Sequence, residues 1–467
     1  MTELFTKGEN CWKVEAATRA SVLIDGENYF RAVRSAMAKA RQRIMLIGWD
    51  FDARTKMFDT KAEVEGPLEI GNYIGWLVDR NPALHVYIVQ WNMGALKIAT
   101  RGATLVKLAE WLVHPRIHVK LDDCHPVGAA QHEKIIAIDE DTAFCGGIDI
   151  TNGRWDTREH SHVEPRRKSP DGEDHGPWHD SAMVVQGDAA RALGELAVER
   201  WRLIADEPPR AVSSRLDSWP DGLRGDFEDV HIAIARTRAE MEERSATREI
   251  EQLYCDLVDL AEHEVYIESQ YFTSRKVAAA IAKRLEELDG PEIVIVTPVS
   301  ADGWLEPEVM DTTRARLFEA LKAIDRHDRF RIYHPLNEAG ESIYVHAKIV
   351  IVDDRVLRIG SSNVSNRSMG FDAECDIAID AGDHETQKQI TAIRNDLLAE
   401  HLGCEARDVA DLLKQNGSLI DAIALLRKSG RTLRDYQVPD LNAVQNWLAE
   451  NNILDPDRTD DDYAEIV

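Results

Sequence analysis

Two histidines and two lysines occur in two copies of one short pattern, and they are the side chains of this chain best suited to catalysis. His132-Glu-Lys134 and His346-Ala-Lys348 each lead into a β-branched apolar run that ends at an Asp, five residues after the Lys. A pair of small residues follows in both copies. The copies start 214 residues apart, at 132 and 346, which is close to half of the 467 residues. This repeat indicates two similar halves that each contribute one imidazole and one ammonium group.

The spacing places the His and the Lys of each copy on one face of a predicted strand. Residues i and i+2 of a strand point to the same side, so both groups enter the same space. Asp139 and Asp353 fall at the strand ends in turn-forming sequence, where a structural role is the alternative to a catalytic one. We predict a catalytic set with three residues from each half: His132, Lys134, Asp139, His346, Lys348 and Asp353.

These residue types suit the cleavage of a phosphodiester. The reaction needs a nucleophile, a proton for the leaving oxygen and positive charge around the non-bridging oxygens. One imidazole can attack phosphorus while the other supplies the proton. Further substrate contacts are predicted from the small-residue pairs, whose N–H groups can approach an anion: Gly146, Gly147 and Ser361.

Two acids in corresponding places are candidates for orienting the imidazoles. Asp180 precedes the apolar run 181–185, and Glu374 precedes the apolar run 375–379. A nucleophilic imidazole needs an acceptor on its second nitrogen, and a carboxylate is a suitable acceptor. We predict that these acids support the two histidines; a plain carboxylate at a strand start is the alternative.

The two patterns resemble the HKD motifs of the phospholipase D superfamily. Further segments resemble its phosphatidylcholine-cleaving branch: 144–156, 177–180, 267–272 and 366–370. The resemblance covers roughly residues 15–425. It implies that His132 becomes a phosphohistidine and that His346 acts as general acid and base. Lys134, Lys348 and Asn363 are then expected to hold the non-bridging oxygens. The resemblance also makes Asp149, which lies seventeen residues after His132 as Asn363 lies after His346, a substrate-binding candidate, although an ionised carboxylate repels a phosphate.

The expected activity is that of a phospholipase D. Such an enzyme hydrolyses the distal phosphodiester bond of a glycerophospholipid, such as phosphatidylcholine, to phosphatidic acid and the free headgroup alcohol. The covalent intermediate also implies transfer of the phosphatidyl group to primary alcohols. Three alternatives remain at this point: a phosphatidyltransferase similar to cardiolipin synthase, a nuclease or other phosphodiesterase of the same superfamily, and a lipid-binding scaffold without activity.

The rest of the chain predicts an α/β protein built from two similar halves. Apolar strands alternate with helical segments, which favours mostly parallel sheets packed on both faces by helices. A segment rich in turn formers, 205–222, separates the halves. We predict an N-terminal half over 1–225, a C-terminal half over 226–405, and a helical extension with an acidic tail over 406–467.

Charge and composition limit the expected partners. The net charge of −27 opposes nucleic-acid binding, since neutralisation of phosphates by Lys and Arg supplies most of that affinity. The expected partner is phospholipid at a membrane or micelle surface, and a monomer is favoured. No apolar run is long enough to cross a membrane, and the N-terminus lacks the features of a signal peptide. These features predict a cytoplasmic protein with reduced cysteines, with export that needs no signal peptide as the alternative.

No cofactor and no metal is expected. The histidines of the polar segment around 158–179 are the residues that most suggest a metal site, but the loop-like composition there argues against one: His160, His162, His175 and His179. The same region carries a basic stretch, which is predicted to be either a solvated loop or a guide for a phosphate headgroup: Arg154, Arg158, Arg166, Arg167 and Lys168.

Overall fold

The computed structural model describes residues 4–57, 65–92, 107, 110–214, 216–242, 244–301, 307–439 and 455–456. Within these residues the strands form one 16-stranded sheet and one two-stranded sheet. The acidic tail after residue 456 lies outside the described residues. No helix in the described ranges is both long and apolar enough to cross a membrane.

The strands are numbered in chain order. They are β1 Lys13–Ile24, β2 Arg43–Gly48, β3 His85–Trp91, β4 Ile117–Asp122, β5 Ile135–Ile138, β6 Thr142–Gly146, β7 Trp178–His179, β8 Ser181–Gly187, β9 Phe227–Arg238, β10 Thr247–Arg248, β11 Glu264–Glu268, β12 Glu292–Val296, β13 Phe330–Leu336, β14 Tyr344–Val345, β15 Ile349–Val352, β16 Val356–Gly360, β17 Glu374–Asp380 and β18 Thr432–Asp435.

The helices of the described residues are numbered in the same way. They are α1 Asp25–Lys39, α2 Ile70–Arg80, α3 Asp188–Ile204, α4 Glu249–Leu260, α5 Arg275–Glu286, α6 Thr312–Ile324, α7 Asn366–Gly370, α8 His384–Leu402, α9 Ala406–Asn416 and α10 Leu419–Leu426, with a π-helical turn at Pro307–Asp311 before α6.

The large sheet is mixed, and the prediction of mostly parallel strands was wrong. Its order is β18-β13-β12-β11-β15-β16-β17-β9-β1-β8-β6-β5-β2-β3-β4, and β10 pairs with β9. Among the described strands of this sheet, the parallel pairs are β2–β3, β3–β4, β11–β12 and β12–β13. The remaining pairs are antiparallel, because short turns such as those joining β5 to β6 and β15 to β16 can connect only antiparallel neighbours.

The strand order is the same on both sides of the centre of the sheet. Reading outward, β1-β8-β6-β5-β2-β3-β4 corresponds to β9-β17-β16-β15-β11-β12-β13. The two series meet where β1 pairs antiparallel with β9, in a register that joins Lys13 to Ile234 and Ala20 to Phe227. The expected boundary near residue 225 falls just before β9. Backbone hydrogen bonds therefore continue across it in a single sheet.

The strands of the large sheet are buried on both faces, which explains why their sequences are continuous apolar runs. In β2, Ile44 and Leu46 pack into one apolar cluster, while Met45 and Ile47 pack into another on the opposite face. The second cluster includes side chains of α3 and α8, so helices of both halves cover the same face. Close packing on both faces thus holds the central strands in place. It also fixes the starts of β5 and β15, which directly follow the motif lysines.

Candidate active site

The structure brings the two motif histidines, which are far apart in the sequence, to one cavity. His132 and His346 both line a cavity of about 440 Å³. The strands begin at Ile135 and Ile349, directly after the two lysines. The prediction that the His and Lys lie on the strands themselves was therefore wrong. The His and Lys side chains therefore project from the segments that enter β5 and β15. The antiparallel β1–β9 pairing places these two entry segments on the same side of the sheet.

Each imidazole is held by a carboxylate from the other half of the chain. His132 Nδ1 lies 3.0 and 2.9 Å from the two carboxylate oxygens of Glu374. His346 Nδ1 lies 2.7 Å from Asp180 Oδ2. Both acids are completely buried. The two carboxylates meet the histidines, as expected from the sequence, but the pairing is crossed between the halves.

The small-residue pairs support these acids and do not offer N–H groups to an anion. The Gly147 N–H donates to Ser181 O at 2.8 Å. A Cβ at Gly147 would lie 2.2 Å from Asp180 Oδ1, so a side chain there would displace the acid that holds His346. The Ser361 hydroxyl lies 2.5 Å from Glu374 Oε2. The prediction that Gly147 and Ser361 bind substrate was therefore wrong: both position a carboxylate.

Gly146 has a related packing role. It pairs with Ala182 in the β6–β8 ladder, and a Cβ at Gly146 would lie 2.4 Å from the Ala182 Cα. Only a residue without a side chain allows these strands to approach so closely. Gly146 lies outside the lining of the cavity, so its assignment as a substrate-binding residue was also wrong.

The two lysines are buried near the cavity but differ in their surroundings. Lys134 Nζ lies 3.0 Å from Asp149 Oδ2 and forms an ion pair. Lys348 Nζ donates to His346 O at 2.5 Å and contacts Gln270 Oε1 at 3.5 Å. Burial lowers the pKa of Lys348 to about 7, and the nearby Asp180 charge acts in the opposite direction. The acid at position 149 therefore neutralises a lysine, which removes the objection that it would repel a phosphate.

Asn363 occupies the corresponding position in the second half. Its side chain lines the cavity, and its Oδ1 has no hydrogen-bond partner among the described residues. The amide of this side chain can donate to a phosphate oxygen without opposing its charge. This asymmetry between Asn363 and Asp149 is the clearest chemical difference between the two halves of the site.

Asp139 and Asp353 lie at the other end of β5 and β15, about 15 Å along the chain from the lysines. Asp139 accepts hydrogen bonds from the backbone N–H groups of residues 41, 42 and 43, at 2.6, 2.9 and 2.7 Å. Asp353 accepts from those of residues 262, 263 and 264, at 2.6, 2.8 and 2.8 Å. Their inclusion in the catalytic set was wrong, since each fastens a turn to the start of β2 or β11.

We expect Asp139→Ala to reduce stability and to leave catalysis nearly unchanged. Three backbone N–H groups, one of them buried and two partly buried, lose a charged acceptor, which should lower the free energy of unfolding by about 2–3 kcal/mol. Asp139→Asn is the matched control, because it retains one acceptor oxygen and tolerates the positive φ of 50° at this position. Urea denaturation measures both variants. A large fall in kcat with unchanged stability would return Asp139 to the catalytic set.

Several lining residues were not predicted as site residues. Arg154 lines the cavity, and its guanidinium lies 4.1 Å from the centre of the Trp178 ring. Trp178 in turn packs against the His346 ring at 5.1 Å. On another wall, Trp49 and Trp91 stack at 5.7 Å. The basic stretch contained Arg154, but single aromatic residues at strand ends and in turns carry no local pattern that marks them as cavity walls.

The remainder of the basic stretch is engaged in ion pairs. Arg158 pairs with Asp396 and Glu400, Arg166 with Glu164, Arg167 with Asp156, and Lys168 with Asp174. The stretch therefore splits into one cavity residue and four residues that stabilise the segment 156–176 and its contacts with α8.

Burial and positive neighbours favour the neutral form of both imidazoles. The pKa of His132 is lowered well below its ordinary value, first by burial and then by Lys134 and Lys348. The pKa of His346 is lowered by burial and by Lys348 and Arg154. Burial also raises the pKa of Asp180 to about 7. A bound phosphate anion would offset the positive neighbours and so favour protonation of an imidazole.

Comparisons with known proteins agree with this geometry. A family model described as "Cardiolipin synthase, PLD-like domain" matches residues 254–397. Phospholipase D1 of Saccharomyces cerevisiae is 25% identical, over 82% of this chain and 29% of its own length. The cardiolipin synthase of Halalkalibacterium halodurans is 24% identical, over 77% of this chain and 62% of its own. The chain spans about a third of the length of the first curated relatives it matches.

The fold has a counterpart among solved structures. The phosphatidylserine synthase of Haemophilus influenzae superposes with a TM-score of 0.57 at 15% identity, covering 88% of this chain and 96% of that one. A large mixed sheet with two His-x-Lys motifs at one cavity defines a PLD-like protein. Residues 254–397 match a PLD-like domain, and the chain has several phospholipase D homologues.

Proposed function

We propose that this protein is a phospholipase D that cleaves the distal phosphodiester bond of glycerophospholipids through a phosphohistidine. The observation that carries the proposal is the pair of crossed imidazole–carboxylate contacts, His132 with Glu374 and His346 with Asp180, at one cavity. Because each imidazole is fixed through its Nδ1 atom, both Nε2 atoms remain available to react at one phosphorus atom. The two halves, 1–225 and 226–405, are on this proposal duplicated units that each supply half of the chemistry.

In the first step, neutral His132 Nε2 attacks phosphorus and the bond to the headgroup oxygen breaks. His346, protonated when the anionic phosphodiester binds, gives its proton to that oxygen, and the headgroup alcohol leaves. In the second step, His346 takes a proton from water as the water oxygen attacks the phosphohistidine. His132 is released neutral, and the product is phosphatidic acid. A primary alcohol in place of water gives a phosphatidyl alcohol.

Positive and polar groups around the cavity support the charge on phosphorus. Lys134, Lys348 and Asn363 are proposed to hold the non-bridging oxygens, and Arg154 adds a fourth donor. Preorganised donors of this kind stabilise the transition state because they need no reorganisation during the reaction. Asp149 is proposed to fix the position of Lys134 and not to touch the phosphate.

The aromatic walls favour a lipid substrate over a nucleic acid. Trp49, Trp91, Trp178 and Tyr271 line the cavity, and such faces can hold acyl-glycerol carbon or a quaternary ammonium headgroup by cation–π contact. The net charge of −27 further opposes a polyanionic substrate. The substrate is proposed to be taken from a membrane or micelle surface.

The proposal is tested with phosphatidylcholine in mixed micelles, with and without ethanol. We expect choline release in both samples, and phosphatidylethanol at the expense of phosphatidic acid when ethanol is present. The matched control is His346→Ala, which should release no choline. Parallel assays follow cardiolipin formation from phosphatidylglycerol and cleavage of single-stranded DNA. Cardiolipin as the dominant product would favour the transferase alternative, whose family model matches residues 254–397.

Brief treatment with EDTA is expected to leave this activity intact. Lys134, Lys348 and Arg154 already supply the charge that metal-dependent phosphodiesterases take from cations. Choline release measured before and after chelation checks this directly. Loss of activity that Ca²⁺ or Mg²⁺ restores would contradict the proposed charge distribution.

A further inference from the structure

Behind the acid that holds His346 lies a second cluster of ionisable side chains, which the proposed reaction does not use. It is formed by Asp25 at the start of α1, His160 in the segment after β6, His179 in β7 and Glu400 in α8. All four are buried, and one ligand-type atom of each lies within 4.8 Å of the others. His162 and His175 of the same segment lie outside this cluster. Three members come from the first half of the chain and one from the second.

The inner atoms of the cluster lie at distances typical of atoms that share one ion. His179 Nδ1 lies 2.9 Å from Glu400 Oε1 and 3.2 Å from Asp25 Oδ1. His160 Nε2 lies 3.0 Å from Glu400 Oε1 and 3.5 Å from Asp25 Oδ2. Donors bound tetrahedrally at about 2.0–2.1 Å are separated from one another by about 3.3–3.4 Å. Three of the four distances are shorter than that value, as in hydrogen-bonded pairs, and one is longer, so the atoms need to separate only slightly to share one ion.

Each histidine of the cluster is held from behind by a further carboxylate. His160 Nδ1 lies 2.9 Å from Asp156 Oδ2, and His179 Nε2 lies 2.7 Å from Glu268 Oε2. The Tyr266 hydroxyl in turn donates to Glu268 at 2.6 Å. A carboxylate on the outer nitrogen is the usual support of a metal-binding histidine, because it fixes the tautomer and turns the other nitrogen toward the ion. Both histidines of the cluster have this support.

Two buried polar atoms point into the cluster without a hydrogen-bond partner. These are His179 Nδ1 and Asp25 Oδ2, within the part of the chain that the structure describes. His179 Nδ1 is close to two carboxylate oxygens, yet forms a directed hydrogen bond with neither. Buried polar atoms without partners are rare in folded proteins because they lose their hydration without compensation. A cation between these atoms would satisfy both.

The charges around the cluster are compatible with a bound divalent cation. Glu400 pairs with Arg158 and lies 3.7 Å from Arg431, whereas the described ion pairs of Asp25 and Glu268 are with histidines alone. Two buried negative charges thus lack a lysine or arginine partner. A divalent cation, imidazolium ions or protonation of a carboxyl can balance them, since uncompensated buried charge is very costly, and a divalent cation would balance both charges at once.

We propose that Asp25, His160, His179 and Glu400 bind a divalent transition-metal ion, with zinc as the best match. Two imidazole nitrogens and two carboxylate oxygens suit zinc and its first-row neighbours, whereas Ca²⁺ and Mg²⁺ require more oxygen ligands. The closed, buried arrangement leaves no open position for a substrate, so the site is structural. Buried ions exchange slowly, which is consistent with activity that withstands brief chelation.

The ion would position the active site from behind. His179 O accepts the backbone N–H of His346 at 2.7 Å, and His179 directly precedes Asp180. Glu400 comes from α8 of the second half. A metal held by both would join the two halves next to the crossed imidazole–carboxylate contact. The four ligands are positioning residues, because none of them lines the catalytic cavity.

The metal content of the protein of residues 1–467, free of any affinity tag, tests the proposal. We expect inductively coupled plasma mass spectrometry to find one zinc or related ion per chain, retained through gel filtration with EDTA. His160→Gln should lose the ion, while His162→Gln, an exposed histidine of the same segment, should keep it. Protein made in cobalt medium should show the visible absorption bands of tetrahedral Co²⁺. Those bands should be absent from His160→Gln.

A second measurement applies if His160→Gln does not fold. Wild-type protein is unfolded in guanidinium with a chelator and refolded with or without Zn²⁺, and Tm is compared. A higher Tm with Zn²⁺ but not with Mg²⁺ supports the site. Folded protein without metal would overturn the proposal. An ion that His160→Gln retains would be an adventitious ion only and would overturn it as well. Nitrogen NMR that shows His160 and His179 as imidazolium ions would likewise overturn it. Phospholipid activity is not a readout here, so this outcome is independent of the proposed function.

Discussion

His132→Ala is expected to abolish the covalent phosphoenzyme, and His346→Ala is expected to trap it. Without His132 there is no nucleophile, and kcat should fall by about 10⁴–10⁶-fold. Without His346, a phosphodiester with a good leaving group, such as phosphatidyl-p-nitrophenol, needs no acid for the first step. One p-nitrophenolate per active site should then appear in a burst, and the phosphohistidine should persist because no base activates water. Stopped-flow absorbance and acid-labile phosphorus labelling measure both steps.

The two variants control for one another because their histidines occupy equivalent places. Both should retain the wild-type unfolding temperature to within a few degrees, so that a loss of burst reflects chemistry. A burst and label in His132→Ala together with their absence in His346→Ala would reverse the roles. No label in any variant, with full wild-type turnover, would indicate direct attack by water and refute the covalent mechanism.

Glu374→Gln and Asp180→Asn are expected to slow different steps, because each acid holds the histidine of the other half. Replacing an orienting carboxylate by an amide disturbs the imidazole tautomer and typically costs about 10²–10⁴-fold in rate. Glu374→Gln should slow the p-nitrophenol burst, since Glu374 supports the nucleophile His132. Asp180→Asn should leave the burst near the wild-type rate and slow steady-state turnover, since Asp180 supports His346. KM should change little in either variant.

Asp380→Asn is the matched control for the first of these variants. It lies on the same strand as Glu374, and its carboxylate pairs with Arg355 away from the cavity. Both kinetic phases should be unchanged. If Glu374→Gln slows only turnover and Asp180→Asn slows only the burst, each acid serves the opposite histidine from the one that it contacts in the structure. Wild-type kinetics in both variants would reduce the acids to a structural role.

The motif residues proposed to carry out the chemistry lie close together in the sequence. The His-x-Lys spacing, the apolar run and the closing Asp occupy eight consecutive residues in each copy, so short-range geometry alone groups them. The candidate histidines and lysines were therefore found from the sequence, whereas Asp180 and Glu374 were found from their corresponding places before two apolar runs. The same local view misjudged Asp139 and Asp353: a pattern shows that residues recur together, but not which end of the strand faces the cavity.

The sheet direction and the partners of the site residues were decided only by tertiary structure. A strand buried on both faces has the same apolar run in parallel and antiparallel pairing, so its sequence does not fix the direction of its neighbours. Glu374 reaches His132 across 242 residues, and Asp180 reaches His346 across 166. Contacts at such separations depend on how β1 and β9 join the halves. The sequence by itself indicated the candidate reactive groups, whereas the crossed support of the imidazoles and the buried Asp25–His160–His179–Glu400 cluster exist only because folding brings distant segments together.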